Sequence, residues 1–410
     1  MAGPSGHVFP LGSRLDEAGR LEIGGCDVIE LTREFGTPAY VYAEDDIRTR
    51  ARAYMDAFRA RVDRFEVIYA SKAFPCTAVE RILVEEGLAC DVASGGELHI
   101  ALAAGFDPVR IYMHGNNKTP AELDYALEAG VGQIVVDSFD EIDRLERLAA
   151  GRDQAVLLRV TPGVEPATHA KIATGQKDSK FGIPLALVPR AIERCAEAGL
   201  DLQGLHAHIG SQVFDLGVFE TLVAVLIGLG RFPVLNLGGG FACAYTRDEH
   251  PPAVEQYAEA MLGAVDPSVR VVCEPGRSLV ANAGVSLYTV GTVKEIPGLR
   301  TYVSVDGGMS DNPRPMLYDA AYEAEIADRF GDSTPCRIAG KHCESGDVLV
   351  RDAAVPADLA VGDVLATPVT GAYGHSMGSN YNKVPRPPVV FVADGDARVV
   401  VRGETEEDLL

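Results

Sequence analysis

The stretch EVIYASKAFPCTAVERILVEEGLACDVASGGEL (residues 66–98) decides the architecture. It opens on an apolar, β-branched run, EVIYA, crosses a helical pattern at 78–86, and reaches a second short run, ACDVA, at 89–93. Strand, helix and strand in so short a span is the parallel βαβ unit. The alternation continues through RIYMH (110–114), QIVVD (133–137), AVLLRV (155–160), LHAHI (205–209), VLNL (234–237) and RVVC (270–273). The first five runs start 21 to 23 residues apart, and helical patterns such as 120–129 fill the gaps. Eight strand–helix units close a (β/α)8 TIM barrel, which makes the chain an α/β protein. A solenoid also repeats regularly, but no LxxLxL-type repeat occurs and the later spacings stretch.

Outward from this region the texture changes. Residues 1–45 and 284–410 hold alternating runs without regular helices, at 285–290, 302–305, 347–350 and 389–393, and Gly362-Asp363 reads as a turn ahead of another strand. The expectation is a barrel over 46–283 followed by a mostly antiparallel β domain over 284–410, to which 1–45 contributes, with Tyr40-Val41-Tyr42 lending a strand. The polar segment 161–182 is too long for a plain connection and reads either as disordered or as a lid.

Composition narrows the function classes. The 410 residues carry 37 basic and 59 acidic side chains, a net charge of −22, so nucleic acid and anionic membrane surfaces are not expected partners. The longest apolar run, 222–230, is far short of the roughly 18 residues of a spanning helix. The first residues, MAGPSGHVFPLGSRL, show no signal-peptide pattern, and the eight scattered cysteines form no CxxC. Together they lead to the expectation of a cytoplasmic enzyme with reduced thiols.

Active-site residues of such barrels come from the C-terminal ends of the strands. Those ends carry Ser71-Lys72, Ser94-Gly95-Gly96, His114-Gly115-Asn116-Asn117, Arg159, the run HAHIGS (206–211), Gly238-Gly239-Gly240 and Glu274-Pro275-Gly276-Arg277. Three glycines after an apolar strand let backbone N–H groups approach an anion, and barrel phosphate sites favour the loops after the seventh and eighth strands. Arg277 adds a side chain suited to phosphate. Lys72 reads either as a solvated lysine or as an amine that joins a carbonyl cofactor such as pyridoxal phosphate. His206 and His208 share a face if the strand runs through both, and a metal pair is the alternative there; no third ligand is evident, and no metal is expected.

The motifs YASKA (69–73), DVASGGEL (91–98), HAHIGSQ (206–212), LGGG (237–240), CEPGR (273–277), VDGGMSDNPRP (305–315), GKHCESGD (340–347) and VTGAYG (369–374) occur in order over nearly the whole chain. In this the sequence resembles the diaminopimelate decarboxylases, members of the alanine-racemase-like class of pyridoxal-phosphate enzymes that also holds ornithine and arginine decarboxylases. The resemblance implies that Lys72 carries the cofactor, that His208 stacks on its ring, and that Ser211, Gly238, Gly239, Gly240, Gly276 and Arg277 bind its phosphate, with Tyr373 beside it. It implies that Glu274 pairs with the ring nitrogen, where racemases of the class have an arginine. A carboxylate there keeps the ring protonated and electron-withdrawing.

The resemblance also implies a substrate, meso-diaminopimelate, converted to L-lysine and CO2. Arg277 and Arg314 then take its distal carboxylate, Glu344 its distal ammonium, and Tyr318 and Tyr373 complete the pocket. Cys343 becomes the proton donor; by itself it reads as a small buried hydrophobe. The implied assembly is a homodimer whose Cys343–Glu344 loop reaches the partner's barrel. The alternatives are a decarboxylase of another diamino acid, of ornithine, arginine or carboxynorspermidine type, and a non-catalytic homologue, from which Lys72, Cys343 and Glu344 would be missing.

Overall fold

The computed structural model describes residues 6–164, 178–331 and 334–410. They form two units: Arg50–Ala242 with Pro251–Gly276, and Met1–Thr49 with Cys243–His250 and Arg277–Leu410.

The first unit is the barrel. Its eight parallel strands are Phe65–Ala70, Ala89–Val92, Ile111–Met113, Gln133–Val136, Ala155–Thr161, Asp201–His206, Val234–Asn236 and Arg270–Cys273. Each pairs with the next, and Val271 opposite Phe65 joins the eighth strand to the first, which closes the ring. Ile68, Ala89, Tyr112, Val135, Leu157, Val234 and Val272 form a buried cluster contributed by seven of the strands. Filling of this kind makes the barrel a packed core whose chemistry is confined to its rim.

Local chemistry sets where the helices begin and end. Ser94, Thr119 and Ser138 each accept the N–H three residues on, at 3.2, 3.2 and 3.3 Å, and so cap the helices Gly95–Ala104, Pro120–Ala129 and Phe139–Leu148. Gly105 and Gly130 then end the first two in the left-handed conformation that glycine takes without steric cost.

The sixth strand differs from its expected place. It spans Asp201–His206, so His206 is its last residue and His208 lies in the loop beyond. The strand starts on exposed Asp201 and half-buried Leu202 and Gln203, a stretch with a single apolar residue. Gly204 sits against the seventh strand so closely that a Cβ would stand 1.9 Å from the Val234 carbonyl oxygen.

The second unit contains a nine-strand sheet, seven strands of which run in the order Val348–Val355, Thr334–Ala339, Arg300–Val305, Gly284–Ile296, Ala39–Ala43, Val389–Ala393 and Asp396–Val401, with Glu325–Ile326 and Val364–Pro368 off this path. Val364–Pro368 also pairs with Gly284–Ile296. Two of the pairings are parallel, Arg300–Val305 with Thr334–Ala339 and Val389–Ala393 with Ala39–Ala43, and the rest are antiparallel. The sheet is therefore mixed, and Tyr40, Val41 and Tyr42 do lie in one of its strands. Of the segment 161–182, residues 165–177, Lys177 among them, lie outside the described residues. No helix among the described residues is long and apolar enough to cross a membrane.

Candidate active site

At the C-terminal rim of the barrel, Lys72, Ala93, His114, Gly115, Arg159, Phe181, His206, His208 and Glu274 line a cavity of about 180 Å³. Lys72 sits on the short helical turn Ser71–Ala73 directly after the first strand. Glu274 follows the eighth strand by one residue and is buried.

Three other strand ends converge on that carboxylate. The Asn236 amide donates to Glu274 Oε1 at 2.7 Å, His114 Nε2 stands 3.0 Å from Oε1, and His206 Nε2 stands 3.3 Å from Oε2. The two imidazoles meet edge to face with centroids 4.8 Å apart. Burial drives both of them towards the neutral form, His206 down to about 4. Burial also works to raise the Glu274 carboxyl, but the two histidines at hydrogen-bond distance hold it well below the usual range. The site therefore keeps an anion in its interior, surrounded by an amide and two neutral imidazoles. Sequence reasoning does not pair Asn236 or His114 with Glu274. Each stands at or just past a strand end, which was the available signal.

Contrary to the expectation from the sequence, His206 does have further potential metal ligands beside it. Ligating atoms of His114, His206 and Glu274 lie within 4.8 Å of one another. Closure of the ring, which no local spacing reveals, brings them together.

His208 has a different task. Its Nδ1 accepts the Gly239 N–H at 3.1 Å, which ties the loop after the sixth strand to the glycine turn after the seventh. Burial first, then Lys72 and Arg159, push this imidazole well below its ordinary range, so it too is neutral. In the glycine turn a Cβ would stand 2.5 Å from the Ala207 oxygen at Gly238, 2.2 Å from the Glu274 oxygen at Gly239 and 2.7 Å from the Gly210 oxygen at Gly240. Only glycine allows these approaches, and Gly238 and Gly240 also have φ of 66° and 108°. Gly276 is similar, with a Cβ due 2.9 Å from that of Ala70.

Further contacts brace the rim. Lys118, 2% exposed, places Nζ 2.7 Å from Glu141 and donates to the Gly115 and Val135 carbonyls at 2.7 and 2.8 Å. This fixes the turn that carries His114. Arg159 lies over the Phe181 ring at 4.4 Å and 3.6 Å from Asp137, whose other oxygen accepts the Gly182 N–H.

The second unit holds two more groups of expected site residues. Arg277 and Arg314, both buried, are set among tyrosines. Arg277 hydrogen-bonds to the Tyr245 hydroxyl and lies over the Tyr373 ring at 4.7 Å; Arg314 donates to the Tyr322 hydroxyl at 2.7 Å and lies over the Tyr245 ring at 4.4 Å. Tyr373 itself takes a left-handed φ of 61°. The hydroxyl on Arg314 is thus that of Tyr322, while Tyr318 is half-buried at the end of the short helix Arg314–Tyr318. Tyr245 and Tyr322 carry no sequence pattern that would single them out. Buried guanidiniums held by neutral hydroxyls make a ready receptor for a carboxylate. The other group is the turn with Cys343 and Glu344. Cys343 is the only exposed cysteine of the eight, contrary to the bland reading of it as a buried hydrophobe.

Comparison with known proteins agrees with this chemistry. A family profile described as "Pyridoxal-dependent decarboxylase, pyridoxal binding domain" matches residues 44–281. The chain is 48% identical to a diaminopimelate decarboxylase of Bacillus subtilis, over 97% of this chain and 96% of that one. It is 49% identical to one from Actinosynnema pretiosum, over 98% and 94%. Among solved structures, the diaminopimelate decarboxylase of M. jannaschii in complex with L-lysine superposes with a TM-score of 0.91 at 35% identity, covering 97% of this chain and 96% of that one.

Proposed function

We propose how the residues of this chain, which belongs to the diaminopimelate decarboxylases, share the work of releasing CO2 from meso-diaminopimelate to leave L-lysine. The observation that carries the reading is the buried Glu274 carboxylate, held by Asn236, His114 and His206 in the same cavity as Lys72.

The cavity suits pyridoxal phosphate: it offers a primary amine and a buried anion for the ring nitrogen, and through His208 it adjoins the glycine turn, whose backbone N–H groups suit a phosphate. When bound, that cofactor supplies an electron-withdrawing ring that takes up the electron pair left as CO2 departs. Lys72 anchors it. Glu274 would hold a proton on the ring nitrogen, and because its neighbours are a neutral amide and two neutral imidazoles its charge remains available to that nitrogen. His208, fixed through Gly239, presents a neutral ring face for stacking. The backbone of 238–240, with Ser211, Gly276 and Arg277, receives the phosphate.

In the second unit, Arg314 and Arg277 bind the carboxylate at the substrate's far end, and Glu344 its ammonium. Tyr245 and Tyr322 keep the two arginines in place, and Tyr318 and Tyr373 border them. The Cys343 thiol returns the proton to the carbon that lost CO2. An opening at the strand ends must be covered to keep water from a carbanion, and the cover in this reading is the Cys343–Glu344 turn of a second copy, giving a homodimer with two composite sites.

The test is to supply the protein with pyridoxal phosphate and meso-diaminopimelate, ornithine, arginine or lysine in turn, measuring CO2 and the amine product. Diaminopimelate should be used at least a hundredfold better than the others. Equal or better use of ornithine would overturn the substrate assignment, since ornithine has no distal carboxylate for Arg314.

A further inference from the structure

The turn that carries Cys343 and Glu344 is bracketed by two buried polar side chains that no step above uses. His342 is fully buried, and its Nδ1 lies 3.0 Å from Asp347 Oδ2. The same oxygen accepts the His342 backbone N–H at 2.8 Å, and Oδ1 accepts the Met309 N–H at 2.7 Å. With Oδ2 an acceptor, Nδ1 is the donor in that pair. We propose that His342 and Asp347 are positioning residues, a clamp that fixes the Cys343–Glu344 turn before substrate arrives.

Several contacts leave the clamp little freedom. Glu344 N–H donates to the His342 carbonyl at 2.8 Å and Asp347 N–H to the Glu344 carbonyl at 3.1 Å, so the turn closes on itself. Gly308 and Gly340 make room for it: a Cβ would stand 2.6 Å from His342 Nδ1 at Gly308, and 2.2 Å from Asp347 Oδ2 at Gly340. On the other side the Tyr381 ring stacks on His342 with centroids 5.8 Å apart and planes 10° from parallel. The Asn382 side chain accepts the Cys343 N–H at 2.9 Å from a backbone with φ of 52°. His342 and Asp347 are buried, whereas Cys343 and Glu344 between them are exposed.

Stability alone does not account for this arrangement. A buried imidazole–carboxylate pair must offset its own desolvation. His342 Nε2 is also buried with no hydrogen-bond partner among the described residues, which costs more. The return on such a pair is geometric, because a displacement of about 1 Å at a reacting group costs on the order of a hundredfold in rate.

The inference rests on the reading of Cys343 as proton donor, and a double-mutant cycle separates the two claims. His342→Phe keeps the ring against Tyr381 but removes the donor, whereas His342→Asn keeps an amide that can donate to Asp347. The expected result is a fall of about ten- to a hundredfold in kcat for His342→Phe, with cofactor affinity by absorbance titration unchanged. His342→Asn should recover most of the loss. In the Cys343→Ala background, His342→Phe should lower kcat no further, because the donor it positions is already gone. If His342→Phe does not fold, Asp347→Asn enters the same cycle with the same expectation. Losses that multiply, or unchanged kcat in both His342→Phe and Asp347→Asn, would overturn the clamp. Normal kcat in Cys343→Ala alone would overturn the donor reading, and with it the purpose assigned to the clamp.

Discussion

Replacing Glu80 by glutamine should stabilise this protein, and more so as pH rises. Glu80 lies on the helix Thr77–Glu85 with no exposed surface, and neither carboxyl oxygen has a hydrogen-bond partner among the described residues. Burial first, then Glu97 and Asp91, push its pKa from 4.5 up to about 8. The folded state therefore holds a proton that the unfolded chain gives up. Stability tied to this group is complete below pH 4.5 and is lost as pH climbs through about 8. At 1.36 kcal/mol per pH unit, the interval is worth at most about 5 kcal/mol, a large share of the roughly 5–15 kcal/mol of a typical fold. Glutamine has nearly the same shape and no proton to lose. Urea denaturation followed by far-UV circular dichroism at pH 5, 6.5 and 8.5 should show Glu80→Gln close to the parent at pH 5 and ahead by about 2 kcal/mol or more at pH 8.5. An advantage that does not change with pH would refute the reasoning, because it would mean that Glu80 does not titrate between the two states.

Other expectations follow from the same geometry. Lys118→Met leaves Glu141 buried without its cation and should cost about 3–5 kcal/mol in denaturation, much of which Glu141→Leu in the same chain should return; an additive loss would contradict this. Arg314→Ala, or Glu344→Ala, should raise KM for diaminopimelate by the equivalent of about 2–5 kcal/mol while cofactor affinity holds, and normal turnover in either would remove that residue from the distal subsite. Lys72→Ala and Cys343→Ala, each nearly inactive alone, should regain one working site when refolded together, and a verified mixed dimer without activity would show that sites are built within single chains.

Much of the fold is legible in the sequence because short β-branched runs and capped helices are local signals. The eighth strand, Arg270–Cys273, and the helix Pro120–Ala129 stand where their residues place them. The sixth strand reads too far towards its apolar end because its first half, Asp201-Leu202-Gln203-Gly204, has a single apolar residue and an irregular register between Leu202 and Gly204. At the site, residues inside recognisable motifs were found one by one, and Lys72, His208 and Glu274 do line one cavity. Pairings between motifs were not. Nothing near His114 says that its imidazole will meet a carboxylate 160 positions later, since that contact exists only once the ring has closed. Tyr245 and Tyr322 were invisible for a related reason: each matters through an arginine distant in the chain or outside any periodic pattern.

If the chemistry is anchored at Lys72, at the exit of the first barrel strand, that lysine carries the cofactor. Borohydride reduction of the pyridoxal-phosphate-loaded protein fixes the cofactor on whichever lysine carries it, and peptide mapping by mass spectrometry reads the position. The label should appear on the peptide containing Lys72, and Lys72→Ala should take up none. A label on any other lysine, or an unchanged yield in Lys72→Ala, would contradict the account at its root.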